Sequence, residues 1–207
     1  MKRFKTHFLT QLIMSNSTKI LAFAGSARQD SFHKKLVKIA AQGATDAGAE
    51  VTFIDLRDYP MPIYDQDLQE QDGFPQSVLA LKQFFKSHNG LLIASPEYNS
   101  SISGLLKNTI DWLSRSEPDE SPLALSCFRG KVAAIMSTSP GGLGGLRGLV
   151  HLRAILENIG VIVLPDQKTI PNAFEQFDSQ GQLKEQRQQE SVQAVGKKLA
   201  ELAMKLQ

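Results

Sequence analysis

Cysteine is nearly absent from this chain: Cys127 is the single one among 207 residues. No disulfide can form within the chain, which fits a reducing compartment and sets the expectation of a cytoplasmic protein. Cys127 itself reads as a packed or surface thiol rather than a nucleophile. No apolar run is long enough to cross a bilayer, so no membrane partner is expected. Neither sign of charge dominates: 23 basic residues face 21 acidic ones, for a net charge of +2. Lysines and arginines are scattered among the acids, so nucleic-acid binding is not expected either. Several catalytic signatures are missing as well. There is no G-x-S-x-G of an α/β hydrolase and no GxxxxGK[ST] of a phosphate-loop nucleotide hydrolase. No GxGxxG precedes Asp55, the acid that ends the second predicted strand, so Asp55 reads as a turn acid rather than a ribose ligand. The sequence GSARQ lacks the acidic pair that a response regulator needs after its first strand. His7, His33, His88 and His151 have no metal-ligand spacing and read as surface or cap residues, so no metal is expected.

What is present is an ordinary globular composition, 42% hydrophobic, long enough for one domain with a sizeable core. The first residues are basic and then mildly apolar, and Thr10 and Gln11 interrupt the apolar part, which argues against a signal peptide. Residues 1–17 are therefore expected to be a poorly ordered extension and residues 18–207 the domain. Buried strands are predicted at Ile20 to Ala24, Val51 to Leu56, Leu91 to Ala94, Val132 to Met136 and Val161 to Leu164. Helical spacing follows each of them, ending in a last helix with Val192, Val195, Leu199, Leu202 and Leu206 on its core face. The proline- and aspartate-rich segment from Arg57 to Gln76 reads as a long rim loop, and Pro165 to Gln182 as irregular, with a small hairpin near Ser179 and Gly181. Alternation of strand and helix implies a parallel sheet covered on both faces, with right-handed crossovers.

Three loops carry the chemistry: Gly25 to His33, Ser95 to Ser103 and Ser137 to Gly145. They follow the first, third and fourth strands, which are neighbours in the order 2-1-3-4-5, and ligands of open parallel sheets sit beyond the carboxyl ends of the strands. In the first loop Gly25, Ser26, Arg28 and Ser31 lead into a helix start, where unpaired N–H groups and the helix dipole favour an anion. Ser26 and Ser31 alone would read as helix caps; Arg28 between them shifts the reading to a phosphate cradle. The second loop offers the aromatic face of Tyr98 and the amide of Asn99, although either residue alone would pass for an ordinary loop or turn residue. The third has four glycines whose bare amides can approach a heteroaromatic edge, the alternative being a flexible connector. Phosphate at one end, a stacking surface in the middle and amide donors at the other end describe flavin mononucleotide.

At these residues the sequence resembles the NADPH-dependent FMN reductase family, the flavodoxin-like quinone, chromate and azo-dye reductases. The pattern GSxRxxS is met by Gly25, Ser26, Arg28 and Ser31. The pattern PEYNxSxxGxLKNxxDWxSR is met from Pro96 through Glu97, Tyr98, Asn99, Ser101, Gly104, Leu106, Lys107, Asn108, Asp111, Trp112 and Ser114 to Arg115. The resemblance implies a flavodoxin-like three-layer sandwich with a five-stranded sheet. It implies FMN as cofactor and NADPH or NADH as co-substrate, with electrons passing to a quinone, free flavin, azo compound or chromate. By that likeness Ser26, Arg28, Ser31, Phe32 and His33 hold the phosphate. Pro96, Glu97, Tyr98 and Asn99 line the ring, and Thr138, Ser139 and Gly141 meet its polar edge. His33 stands where several relatives carry Asn. No catalytic acid, base or nucleophile is expected, because the flavin carries the chemistry. The resemblance also implies a homodimer or homotetramer, with Asn108, Asp111, Trp112 and Arg115 at the interface. A non-enzymatic electron carrier on the same fold is the alternative, disfavoured by the slightly basic charge.

Overall fold

The computed structural model describes residues 17–206; apart from Ser17, the expected N-terminal extension lies outside them. The central sheet is built from β1 (Lys19–Ala24), β2 (Glu50–Asp55), β3 (Gly90–Ala94), β6 (Val132–Thr138) and β7 (Ile162–Val163), all parallel, in the order β2-β1-β3-β6-β7. This is the predicted order, with one refinement. The edge strand is split, and β8 (Lys168–Ile170) also pairs with β6, along its last three residues. Between β3 and β6 the chain makes a two-residue hairpin, β4 (Glu97–Tyr98) with β5 (Ser101–Ile102).

Strand residues alternate between two cores, as a sheet buried on both faces requires. Ile20, Ala22 and Ala24 of β1 face α1 (Phe32–Asp46) and α7 (Gln186–Lys205). Leu21 and Phe23 face α3 (Gln76–Ser87), α4 (Gly104–Leu113) and α5 (Leu146–Asn158). The α1–α7 contact is so close that a Cβ on Gly196 would lie 1.8 Å from the Ala40 carbonyl oxygen, and one on Gly43 would lie 2.0 Å from that of Gln193. The buried stripe of α7 therefore continues through Gly196, Ala200 and Ala203, while Leu206 is 56% exposed. Leu202 packs against this core as predicted, and the correction falls on Leu206 alone.

The rim segment is not a plain loop. It holds a 3₁₀ turn at Leu56–Asp58 and the helix α2 (Gln66–Asp72), capped by the Asp65 carboxylate and closed by Gly73 at φ 76°. It is pinned to α4 by polar contacts: Asn108 accepts from the Tyr64 N–H at 2.8 Å, and both Asn108 Nδ2 and Trp112 Nε1 donate to the Pro62 carbonyl at 2.8 Å. Trp112 is fully buried. In the predicted irregular stretch after Leu164, β8 and the short α6 (Ala173–Gln176) precede an antiparallel bridge between Phe177 and Leu183, which closes the small turn expected there. His88 is the C-cap residue of α3, the cap alternative of the expectation, and is buried there, bonded to Phe84 and Thr52.

Candidate active site

Parallel register brings Ala24, Ala94 and Met136 to one level, so the three polar loops leave the sheet side by side. Side-chain hydroxyls fasten them together. Ser103 caps α4 by accepting from the Leu106 N–H at 3.2 Å and donates to the Gly25 carbonyl. Ser137 donates to the Ser95 carbonyl at 2.6 Å. Gly25 sits in a tight place, since a Cβ would lie 3.0 Å from Leu106 and 3.2 Å from Pro96, closer than side chains ordinarily pack.

The first loop keeps its donors available. Ser31 caps α1, its Oγ accepting from the His33 N–H at 3.2 Å, while Ser26 Oγ accepts from the Arg28 N–H at 3.4 Å. The first-turn N–H groups of α1 have no carbonyl of their own helix to bond. Arg28 is exposed and has no carboxylate partner among the described residues, its neighbour Asp30 being paired with Lys35 at 2.6 Å. Phe32 packs between Phe174 and Phe177, with ring centroids 5.3 and 5.2 Å away, and so braces the helix start. His33 reaches across to the third loop, where its Nε2 accepts from the Thr138 N–H at 3.4 Å. Burial, with the Arg28 charge adding to it, pushes the His33 pKa down to about 4, so the ring is neutral at pH 7.

The second loop is a hairpin whose tip residues, Asn99 and Ser100, both take the left-handed conformation, at φ 51° and 67°. Such a turn suits the right-handed twist of the paired strands. It projects Tyr98, which is 55% exposed, while Pro96 is buried beneath. Glu97 points elsewhere. Its carboxylate takes two bonds from Arg147, at 2.6 and 2.9 Å, and one from the Gly148 N–H in the first turn of α5. Although its burial opposes ionisation, these donors hold the Glu97 pKa below the usual carboxylate range. Its side chain therefore orients α5, and only its backbone is left to line the loop.

In the third loop the division falls within the glycines. Gly144 and Gly145 are at φ 58° and 86°; a Cβ on Gly145 would lie 2.0 Å from Ser137 Oγ, and one on Gly144 would lie 2.9 Å from the Ile170 backbone. They are packing residues. Gly142 has open space where a Cβ would go, and Gly141 has only Ser139 Oγ nearby, at 3.7 Å. Ser137 and Thr138 belong to β6 rather than to the loop, and the Thr138 hydroxyl donates to the Ile170 carbonyl at 2.8 Å. Ser139 fixes the same edge, its N–H donating to Ile170 and its carbonyl accepting from Ala173.

The donor set fits a flat cofactor with one phosphate. Available cationic and N–H donors lie at one end, an exposed aromatic ring in the middle, and bare glycine backbone at the other end. Sequence reading missed the Glu97–Arg147 pair, whose members are 50 residues apart with nothing local to link them, and the bond from Thr138 to His33.

Three comparisons bear on this site. The model of the family described as NADPH-dependent FMN reductase matches residues 18–175. An NAD(P)H-dependent FMN reductase of Pseudomonas aeruginosa is 35% identical over 181 residues, covering 87% of this chain and 92% of the relative. A quinone reductase of Escherichia coli K12 is 39% identical over 155 residues, 73% of this chain and 76% of the relative. Among solved structures, the flavoenzyme NAD(P)H:(acceptor) oxidoreductase FerB from Paracoccus denitrificans superposes with a TM-score of 0.73 at 27% identity, covering 91% of this chain and 98% of that one.

Proposed function

Because the chain belongs to the NADPH-dependent FMN reductase family, we propose that its three-loop edge is the seat of an FMN-dependent reduction of a small acceptor by NAD(P)H. It is an oxidoreductase, with FMN as its cofactor and a reduced nicotinamide as its electron source. The observation that carries the reading is the shared level at which three unlike loops leave the sheet, one rich in free donors and one presenting an exposed aromatic ring.

The chemistry supplied by bound FMN is two-electron transfer from reduced nicotinamide to the acceptor. The chain's own residues bind and orient. Arg28, Ser26 and the first-turn N–H groups of α1, from Phe32 on, hold the phosphate, with Ser31 and His33 fixing the helix start. Tyr98, Asn99, Pro96 and the Glu97 backbone wall the ring. The N–H groups of Thr138 and Ser139 are already given to His33 and the Ile170 carbonyl, so of this group the Gly141 backbone, with Gly142 beside it, is what is left to face the polar edge, where N–H donors stabilise negative charge. No side chain is assigned as acid, base or nucleophile.

A quinone is the acceptor class we favour, with free flavin, azo compounds and chromate as alternatives; the names of the quinone-reducing relatives support this order. A homodimer or homotetramer is the proposed assembly. The guanidinium of Arg115 lies over Tyr64 at 5.2 Å with a buried Nε that has no partner among the described residues, and Leu123 on the same cavity wall is 72% exposed. A face of that kind supports self-association. No described helix is long and apolar enough to cross a membrane, and a cytoplasmic location is part of the proposal. Initial rates at varied NADPH and quinone should give parallel double-reciprocal lines, since both substrates use one face of the ring in turn; intersecting lines would reject the shared site.

A further inference from the structure

Beside the phosphate cradle lies a second cavity, of about 330 Å³, between α1, the end of β2 and the turn at Gly181. We infer that this cavity takes the 2′-phosphate end of NADPH, and thereby makes the enzyme discriminate between NADPH and NADH. The inference rests on the flavin site described above and adds to it the position of the reductant's far end.

The cavity begins where the cradle ends: Ser31, the cap of α1, lines both. Its walls carry Lys34, Lys35 and Lys38 from successive turns of α1, facing Phe53 and Asp55 of β2. Two of the three ammonium groups are paired. Lys34 is bonded to Asp55 in a nearly buried ion pair at the floor, and Lys35 to Asp30 at 2.6 Å on the rim. The third, Lys38, has no carboxylate among the described residues; its ammonium sits 4.8 Å above the Phe53 ring. Among the described residues the cavity rim thus carries one exposed ammonium without a carboxylate, beside an aromatic wall. Glutamine amides at Gln180 and Gln182 stand opposite.

Distance along the sheet points to the same ligand. The ring-binding loops follow β3 and β6, the cradle follows β1, and the cavity adjoins β2 at the edge. Neighbouring strands lie about 4.8 Å apart, so the path from β6 to β2 crosses roughly 14 Å. A nicotinamide stacked near Tyr98 with its dinucleotide extended along this edge carries its adenosine to the cavity. There NADPH presents a phosphate monoester and NADH only a ribose hydroxyl. A dianion gains from an unpaired lysine; a hydroxyl gains little. The adenosine half of FAD is the competing occupant of the same chemistry. It brings a diphosphate with one charge per phosphate, a poorer match to this group of ammoniums than a monoester.

The test compares NADPH with NADH on FMN-supplemented protein, wild type and Lys38→Gln. The wild type should favour NADPH in kcat/KM by about tenfold or more, the discrimination one charge-assisted contact supplies. Lys38→Gln should bring the two reductants level by raising KM for NADPH, with kcat at saturation retained. A wild-type ratio near one, or a ratio that the substitution leaves in place, overturns the assignment. Calorimetric binding of 2′,5′-ADP against 5′-AMP gives a readout independent of turnover: preference for 2′,5′-ADP that disappears in Lys38→Gln supports the site, and equal binding overturns it. FAD bound as tightly as FMN, and weakened by Lys38→Gln, would hand the cavity to a flavin dinucleotide. If neither reductant bleaches the flavin, the reductase reading itself fails, and the 2′,5′-ADP comparison alone decides the cavity.

Discussion

The two ends of the site treat their polar groups in opposite ways. At the Gly25–His33 end the strongest donor, Arg28, has no carboxylate partner among the described residues, and the helix start offers further N–H groups. At the Ser137–Gly145 end nearly every polar side chain is engaged with backbone: Ser137 with Ser95, Thr138 with Ile170, Ser139 with Gly141. One end is built to hold a charge and the other to hold a shape. In the proposed function, the phosphate replaces the water on an exposed cation and on the helix-start N–H groups. A flat ring edge needs backbone fixed in advance, because preorganised donors lose least on binding.

That contrast can be broken most severely at Gly145. A Cβ there would meet Ser137 Oγ at 2.0 Å on a backbone at φ 86°. Gly145→Ala should destabilise the chain by about 3 kcal/mol, from strain and overpacking together. Urea denaturation measures it, and a wild-type midpoint would mean that the third loop is looser than described. Arg28→Ala should do the reverse: FMN affinity falls about 10- to 100-fold, as loss of a charge-assisted contact worth about 1.5–3 kcal/mol implies, while stability without flavin moves by less than about 0.5 kcal/mol. Unchanged FMN affinity removes Arg28 from the cradle.

The smallest effect lies on the bridge between the two ends. Burial first, and Arg28 second, push the His33 pKa down to about 4 from an ordinary 6.5. The unfolded chain takes up this proton below pH 6.5, and the folded chain does so only near 4. The stability associated with neutral His33 is thus complete above pH 6.5 and declines as pH falls toward 4, by about 1–3 kcal/mol. His33→Asn should flatten that decline in flavin-free protein. Equal slopes for the two proteins would show that His33 is freely solvated.

Strand order and the three converging loops could be read from residue types, because buried apolar runs alternating with helices leave few arrangements of a parallel sheet. What was illegible has physical causes. Helix α2 buries none of its residues, so it shows no apolar periodicity, only its Asp65 cap and Gly73 stop. The α7 stripe takes in Gly196 because its backbone meets that of α1 too closely there for any side chain, which no apolar spacing marks. In the site, a hydroxyl facing a ligand and one tied to a carbonyl are the same letter in the sequence. Ser26 and Thr138 read alike, yet Thr138 lies in a strand with its Oγ1 bonded to Ile170. The four glycines from Gly141 to Gly145 divide likewise into two that face open space and two that packing demands.

The central claim is that these three loops together hold one FMN in contact with a nicotinamide. Anaerobic titration of the purified protein with FMN, followed by NADPH, tests it most directly. The account predicts saturation at one flavin per chain and full bleaching of the visible band on reduction. A protein that leaves FMN free in solution, or binds it without bleaching, would contradict it.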